Sequence, residues 1–61
     1  MNQNRYFTTF LTLAIDIENA TTIEDIDDMV FWVDECREVI PEYLYQSLRT
    51  MIRFKDRCIK A

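Results

Sequence analysis

Apolar residues recur at helical spacing in three successive passes along the chain. In the first, from about Asn4 to Asn19, Tyr6, Phe10, Leu13, Ala14 and Ile17 share a face; Phe7 and Leu11 widen the stripe, and Thr8, Thr9, Thr12, Asp16 and Asn19 gather opposite. Leu11, Leu13, Ile15 and Ile17 also alternate with Thr12, Ala14 and Asp16 as a strand would, and threonine favours β structure. A helix is the expectation, because the helical pattern spans the whole segment and a lone strand would have no partner elsewhere in the chain.

The second pass opens at ATTIED. Thr21 followed three residues later by Glu24 forms a capping box, and Thr22 with Asp25 offers the same signature one step on. Acidic residues crowd the first turns, where the positive end of the helix dipole favours them. Ile23, Ile26, Met29, Val30, Val33, Cys36 and Ile40 form its apolar stripe, with Trp32 and Val39 on the flank. Pro41 suits the first turn of a third helix, since its missing N–H would have no partner there, and it pushes Ile40 out of helical geometry, so the second helix should stop near Val39. In the third pass Leu44, Leu48, Met51, Ile52, Cys58 and Ile59 make the buried stripe, flanked by Tyr43, Tyr45 and Phe54. Short connections at Ala20 and at Ile40–Pro41 predict neighbouring helices folded back on one another. The expectation is one all-α domain over residues 1–61, a small three-helix bundle or a helical hairpin plus an N-terminal helix, with helices over about 4–19, 22–39 and 41–59.

Composition sharpens this picture. The chain has 61 residues, no glycine and one proline, so it lacks the residues of tight β-turns, and hairpins and barrels are not expected. Apolar residues make up 49% of it, enough to fold, yet a chain this short buries only about 60% of the surface its unfolded form exposes. So many large side chains on so small a body predict self-association, as a homodimer, or a partner surface.

Cys36 and Cys58 are too few for a disulfide scaffold and are expected as reduced, buried thiols in a cytoplasmic protein. The stretch from Met1 to Ile17 has the charged start and apolar middle of a secretory leader, but threonines interrupt it, and Asp16, Glu18 and Asn19 make a poor cleavage site. No stretch approaches the ~20 apolar residues of a membrane span, so no membrane association is expected.

Phe31 and Trp32 pose a separate problem: adjacent helical residues point about 100° apart, so both cannot face one core. Trp32 falls about 80° from the centre of the stripe, within reach of the core edge. Phe31 falls almost opposite. Its neighbours are Asp27 and Asp28 a turn before, Asp34 and Glu35 a turn after, and Glu24 and Glu38 two turns away, so carboxylates ring an exposed phenyl group. Single exposed aromatics and acidic helix faces are common on ordinary surfaces, and Phe31 could instead lie in a homodimer seam or against the first helix. Like charges at this density repel, however, and a basic partner would relieve them.

Charge is also segregated along the chain. Residues 16–42 hold ten acidic residues against Arg37, whereas residues 43–61 hold five basic residues against Asp56, within a net charge of −4 and a pI near 4.5. Acidic and basic helices could simply pair at their edges, but such pairs contribute little each, and segregation on this scale suits partner selection and fast encounter better.

No reaction is signalled. The chain has no histidine, no glycine-rich phosphate loop and no nucleophile beside a recognisable base; Ser47 lies in a helix without one. Asp27, Asp28 and Asp34 lack the glycine and closing glutamate of an EF-hand loop, and two thiols cannot close a zinc site. No enzyme, metal or cofactor is expected. Two classes of function remain. One is an acidic helical module that binds a protein with a basic surface, such as one that itself meets nucleic acid, through Phe31 as anchor and Glu24, Asp27, Asp28, Asp34, Glu35 and Glu38 as steering rim. An inhibitor, anti-repressor or adaptor of the phage or mobile-element type fits that size. The other is a dimer that binds nucleic acid through Arg49, Arg53, Arg57 and Lys60, with Tyr45 to stack, against which the low pI weighs.

Overall fold

The computed structural model describes the backbone of residues 3–61 and the side chains from residue 6 onward. Met1 and Asn2, at the start of the stretch weighed above as a leader, lie outside the described residues. All regular structure among those described is helical: α1 (Gln3–Asn19), α2 (Ile23–Glu35) and α3 (Glu42–Lys60). Each helix packs against the other two; the end of α2 meets the start of α3 at Asp34 and Tyr45, and the end of α1 lies beside Asp25, Asp28 and Trp32, so successive helices reverse. No described helix is long and apolar enough to cross a membrane.

The core follows the three stripes. Leu13 and Ile17 from α1, Ile26, Met29 and Val33 from α2, and Leu44, Leu48 and Ile52 from α3 are buried, and Ile17, Val33 and Leu48 are almost wholly removed from solvent. Tyr6, Phe10, Ala14, Val30, Met51 and Ile59 pack around them, half-buried. Ala20 and Ile40, one in each connection, close the two ends of the bundle.

The start of α2 resolves the choice between the two capping boxes. Thr22 is the N-cap, in extended geometry; its hydroxyl accepts from the Asp25 N–H at 3.1 Å, and the Asp25 carboxylate accepts from the backbone N–H of Thr22 at 3.2 Å and of Thr21 at 3.0 Å. Thr21 is thereby held outside the helix, and the Thr21–Glu24 box is not the one formed. Donation from the Thr21 N–H, above all, and from the Thr22 hydroxyl and backbone holds the Asp25 carboxyl below its ordinary value of 3.8. The ionised form is the one the cap favours, so this stabilisation is present above pH 3.8 and is lost as pH falls through the lower folded value. Thr22→Ala is expected to cost about 1 kcal/mol in urea denaturation near neutral pH, and the difference from the unmutated chain should shrink in acid.

The other end of α2 departs from expectation. The helix was expected to run to Val39 but ends at Glu35, and Cys36 to Ile40 form tight turns: Arg37 N–H donates to Asp34 O at 3.2 Å, and Val39 and Ile40 N–H both donate to Cys36 O. A helix continuing to Val39 would leave one residue to reach Pro41. That residue spans about 7 Å, less than the 8–10 Å between packed helix axes. The last expected turn is therefore spent on the reversal, which swings Ile40 under the core. Pro41 is the N-cap of α3 and not its first helical residue, with φ −60° and ψ 150°; its carbonyl accepts from Leu44 and Tyr45. No described residue has a positive φ.

The flanks depart too. Phe7 and Leu11, expected to widen the buried stripe of α1, are about half exposed, as is Ile15, because no fourth element covers that side. Cys58, expected in the core, is exposed on the flank of α3 beside Glu18, where α1 is ending; Cys36 is half-buried, and both are free thiols.

Candidate functional site

Because α2 buries the face formed by Ile26, Met29 and Val33, its opposite face must carry Phe31 and the acidic residues at helical spacing from it. Phe31 is 58% exposed. Trp32 is the correction: expected along the core edge, it is 55% exposed. Its position leans towards α1, but α1 presents Asp16 and Asn19 there, and these polar residues leave one wall of a groove of about 280 Å³ instead of an apolar cover for the indole. The ring turns to Phe31 instead, with centroids 5.3 Å apart and planes at 82°, an edge-to-face pair of the favoured kind. The exposed aromatic surface of α2 is thus two rings wide.

Around the pair stand Glu24, Asp27, Asp28 and Glu35 on the helix and Glu38 in the turn that follows, all exposed. Among the described residues none of these five carboxylates forms an ion pair. Glu38, expected two turns from Phe31 on the same helical face, lies beyond the end of α2, so helical spacing does not set it on that face.

Asp34 behaves differently. Expected on the steering rim, it is drawn to α3: the Tyr45 hydroxyl donates to its Oδ1 at 2.7 Å, and Arg49 approaches the same oxygen at 3.4 Å. Tyr45 is buried, so the stacking role considered for it finds no exposed ring; its ring is instead part of the core cluster, capped by the Arg37 guanidinium 4.5 Å above the centroid. Arg37 also meets Glu42 at 3.6 Å. Aspartate, tyrosine and two arginines therefore lock the end of α2 and the reversal onto α3. Asp34 thus serves to hold the fold, although its side chain remains 51% exposed.

The hydrogen bond to Asp34, with burial and the negative charge beside it, raises the Tyr45 phenol above its ordinary value of 10.0. The neutral phenol is the form the fold holds, so this stabilisation is complete below pH 10 and is lost as pH rises through the folded value. Alkaline titration of tyrosinate absorbance, with Tyr45→Phe to identify its share, should show Tyr45 ionising late. Asp34→Asn should bring it back down; an unchanged titration would mean that the hydrogen bond does not form in solution.

On α3 the basic residues are divided. Arg49 is held by Asp34, and Lys60 pairs with Asp56 at 3.2 Å. Arg53 and Arg57 are exposed, flank Phe54, and form no ion pair among the described residues. Among the described residues Asp34–Arg49 is the one ion pair joining α2 to α3, although Asp27 shares the groove between the two helices with Arg49, Arg53 and Lys60.

The arrangement offers no clustered ligands for a metal among the described residues. It offers two adjacent aromatic faces, open to solvent, inside a rim of unpaired negative charge. No protein-family model, curated protein or solved structure matches the chain.

Proposed function

We propose that this protein is a small acidic helical binding module that engages a basic surface of a partner protein through α2, without catalysis. The observation that carries the reading is the exposed edge-to-face Phe31–Trp32 pair, with the carboxylates Glu24, Asp27, Asp28 and Glu35 on the same helix and Glu38 in the turn after it, none of which forms an ion pair among the described residues. Aromatic anchors supply most of the energy of such contacts, and a charged rim supplies encounter rate and partner choice. Asp34 contributes to this face chiefly by fixing the end of α2. The reading includes a cytoplasmic setting, in which both thiols stay reduced, and a dimer that presents two copies of the face.

A partner whose surface normally meets nucleic acid would fit this charge, and occupying that surface would make the protein an inhibitor, anti-repressor or adaptor. The basic face of α3 is a weaker candidate for nucleic acid, with Tyr45 buried and Arg49 engaged.

The test is affinity capture from the native host at low and high salt, with Glu35→Lys/Glu38→Lys and Arg53→Glu/Arg57→Glu as variants. The specific partner is expected to be lost with the first pair and kept with the second, and its capture should weaken with salt. Asp34→Lys is unsuitable, since it breaks the contact with Tyr45 and tests the fold. Capture that survives Glu35→Lys/Glu38→Lys, or that is lost only with the α3 pair, would refute the assignment of the face.

A further inference from the structure

The acidic face of α2 is not the largest exposed apolar surface of the molecule. On α1, Phe7, Leu11 and Ile15 follow one another at helical spacing and lead to Glu18; on α3, Tyr43, Ser47, Met51, Phe54 and Cys58 do the same. The grooves show which way these stripes look. Glu18 lines a groove with Met51, Phe54 and Cys58, whereas Asp16, on the other flank of α1, lines the groove with Asp28 and Trp32. Helical spacing sets Phe7 and Leu11 on the flank of α1 that carries Glu18, the flank towards α3, with Ile15 further out, on the side of α1 away from Asp16 and Trp32. Phe7 is 50% exposed, Leu11 45%, Ile15 59%, Tyr43 66% and Phe54 68%.

We infer that this α1/α3 face is the seam between two copies of the chain. Two observations select a second copy as its occupant. The first is area. At these exposures each of the five side chains leaves about 100 Å² open, so the face presents about 500 Å² of apolar surface. A standard interface covers about 800 Å² on each partner and a homodimer seam is about 65% apolar, so the face has the size and character of one half of such a seam.

The second observation is charge. Two chains that each carry −4 repel, and the carboxylates of α2 make contact through that helix the least favourable. The α1/α3 face carries Glu18 and Lys55 at its groove, one of each sign, with Arg53 and Arg57 at its outer edge beside Phe54, so it lacks the massed carboxylates of α2 and is the less repulsive face for a second acidic chain. Joining there leaves both α2 faces outward and apart. The inference deepens the dimeric part of the reading above and holds whether or not the acidic face binds a partner.

Sedimentation equilibrium of the full chain tests it, with Phe54→Asp, Ile15→Asp and Phe31→Asp as variants. All three positions are more than half exposed in a single copy, and circular dichroism checks that each variant stays helical. The unmutated chain is expected to sediment at about twice its 7.4 kDa. Phe54→Asp and Ile15→Asp are each expected to raise the dimer dissociation constant by about 30-fold or more, and Phe31→Asp to leave it unchanged. Alkylation of Cys58 should slow as protein concentration rises, and that dependence should vanish in Phe54→Asp. A chain that stays monomeric, a dimer that survives both face variants, or one dissolved by Phe31→Asp would overturn the proposal. Partner capture plays no part in these readouts, so a failure here is separate from a failure of the acidic face.

Discussion

Leu48→Ala is expected to remove much of the stability of the protein. Leu48 has no exposed surface, lies in the middle of α3 and belongs to the one core cluster that all three helices share. Truncating a buried leucine costs about 2–5 kcal/mol, the higher values arising where the surroundings cannot collapse into the space. Three helices enclosing one side chain from different directions leave little room for such collapse. A domain of 61 residues has about 3–9 kcal/mol in all, at the usual stability per residue. At the upper end of that range the substitution consumes half or more of it.

For a domain of this size the melting temperature should fall by about 8–40 °C, since each 1 kcal/mol corresponds to about 4–8 °C. Thermal and urea unfolding at one fixed protein concentration would measure this, and the fixed concentration matters because self-association adds to apparent stability. Leu11→Ala is the contrasting control: on the exposed flank of the same bundle it should change the stability of a single copy little. A loss below about 1 kcal/mol for Leu48→Ala would contradict the packing described for α3.

The second large effect concerns binding. Phe31→Ala and Trp32→Ala are each expected to weaken the partner complex by about 30-fold, the consequence of losing a central aromatic anchor worth about 2 kcal/mol. Their combination should not equal the sum. The rings touch edge to face, so either truncation already removes the support of the other, and a coupling of about 0.5–1.5 kcal/mol is expected between them. Charge reversal on the rim should act differently, lowering the association rate and its salt dependence more than it raises dissociation. Once a partner is captured, surface plasmon resonance on the four proteins of the cycle separates these outcomes. Additive, rate-limited losses at Phe31 and Trp32 would show that the aromatic pair is not a joint anchor.

Much of the fold could be read in the residues themselves. Apolar spacing located all three helices, two overlapping capping signatures between Thr21 and Asp25 marked the start of α2 to within a residue, and Pro41 marked the boundary before α3. Those signals are local, written in neighbours within one or two turns. The end of α2 was not readable in the same way, because it depends on the distance between packed helices and on the length of chain needed to reverse between them. Trp32 was misjudged for a related reason: its exposure is decided by what α1 places opposite it, Asp16 and Asn19, and not by its angle on its own helix.

Tyr45 shows the limit most clearly. Its position on the flank of α3 fitted an exposed stacking role as well as a buried one, and only the meeting with Asp34, eleven residues earlier, supplies the acceptor that lets the hydroxyl be buried. A tyrosine within reach of an aspartate on the preceding helix was the signal available, and it carries no information until the register between α2 and α3 is known. The exposure of Phe31 was legible from one helix alone, whereas two members of its rim were not: Asp34 is drawn to α3, and Glu38 lies beyond the end of α2. The apolar face of α1 and α3 needed both helices and was missed.

The two chain reversals pass entirely through backbone conformations that any L-residue can adopt, without a single glycine. Glycine is the residue with the most freedom to lose on ordering, and a chain without it has a narrower disordered ensemble than its length alone would suggest. Part of the margin by which so short a polypeptide holds together is therefore set before any contact forms, in what its loose chain is unable to do.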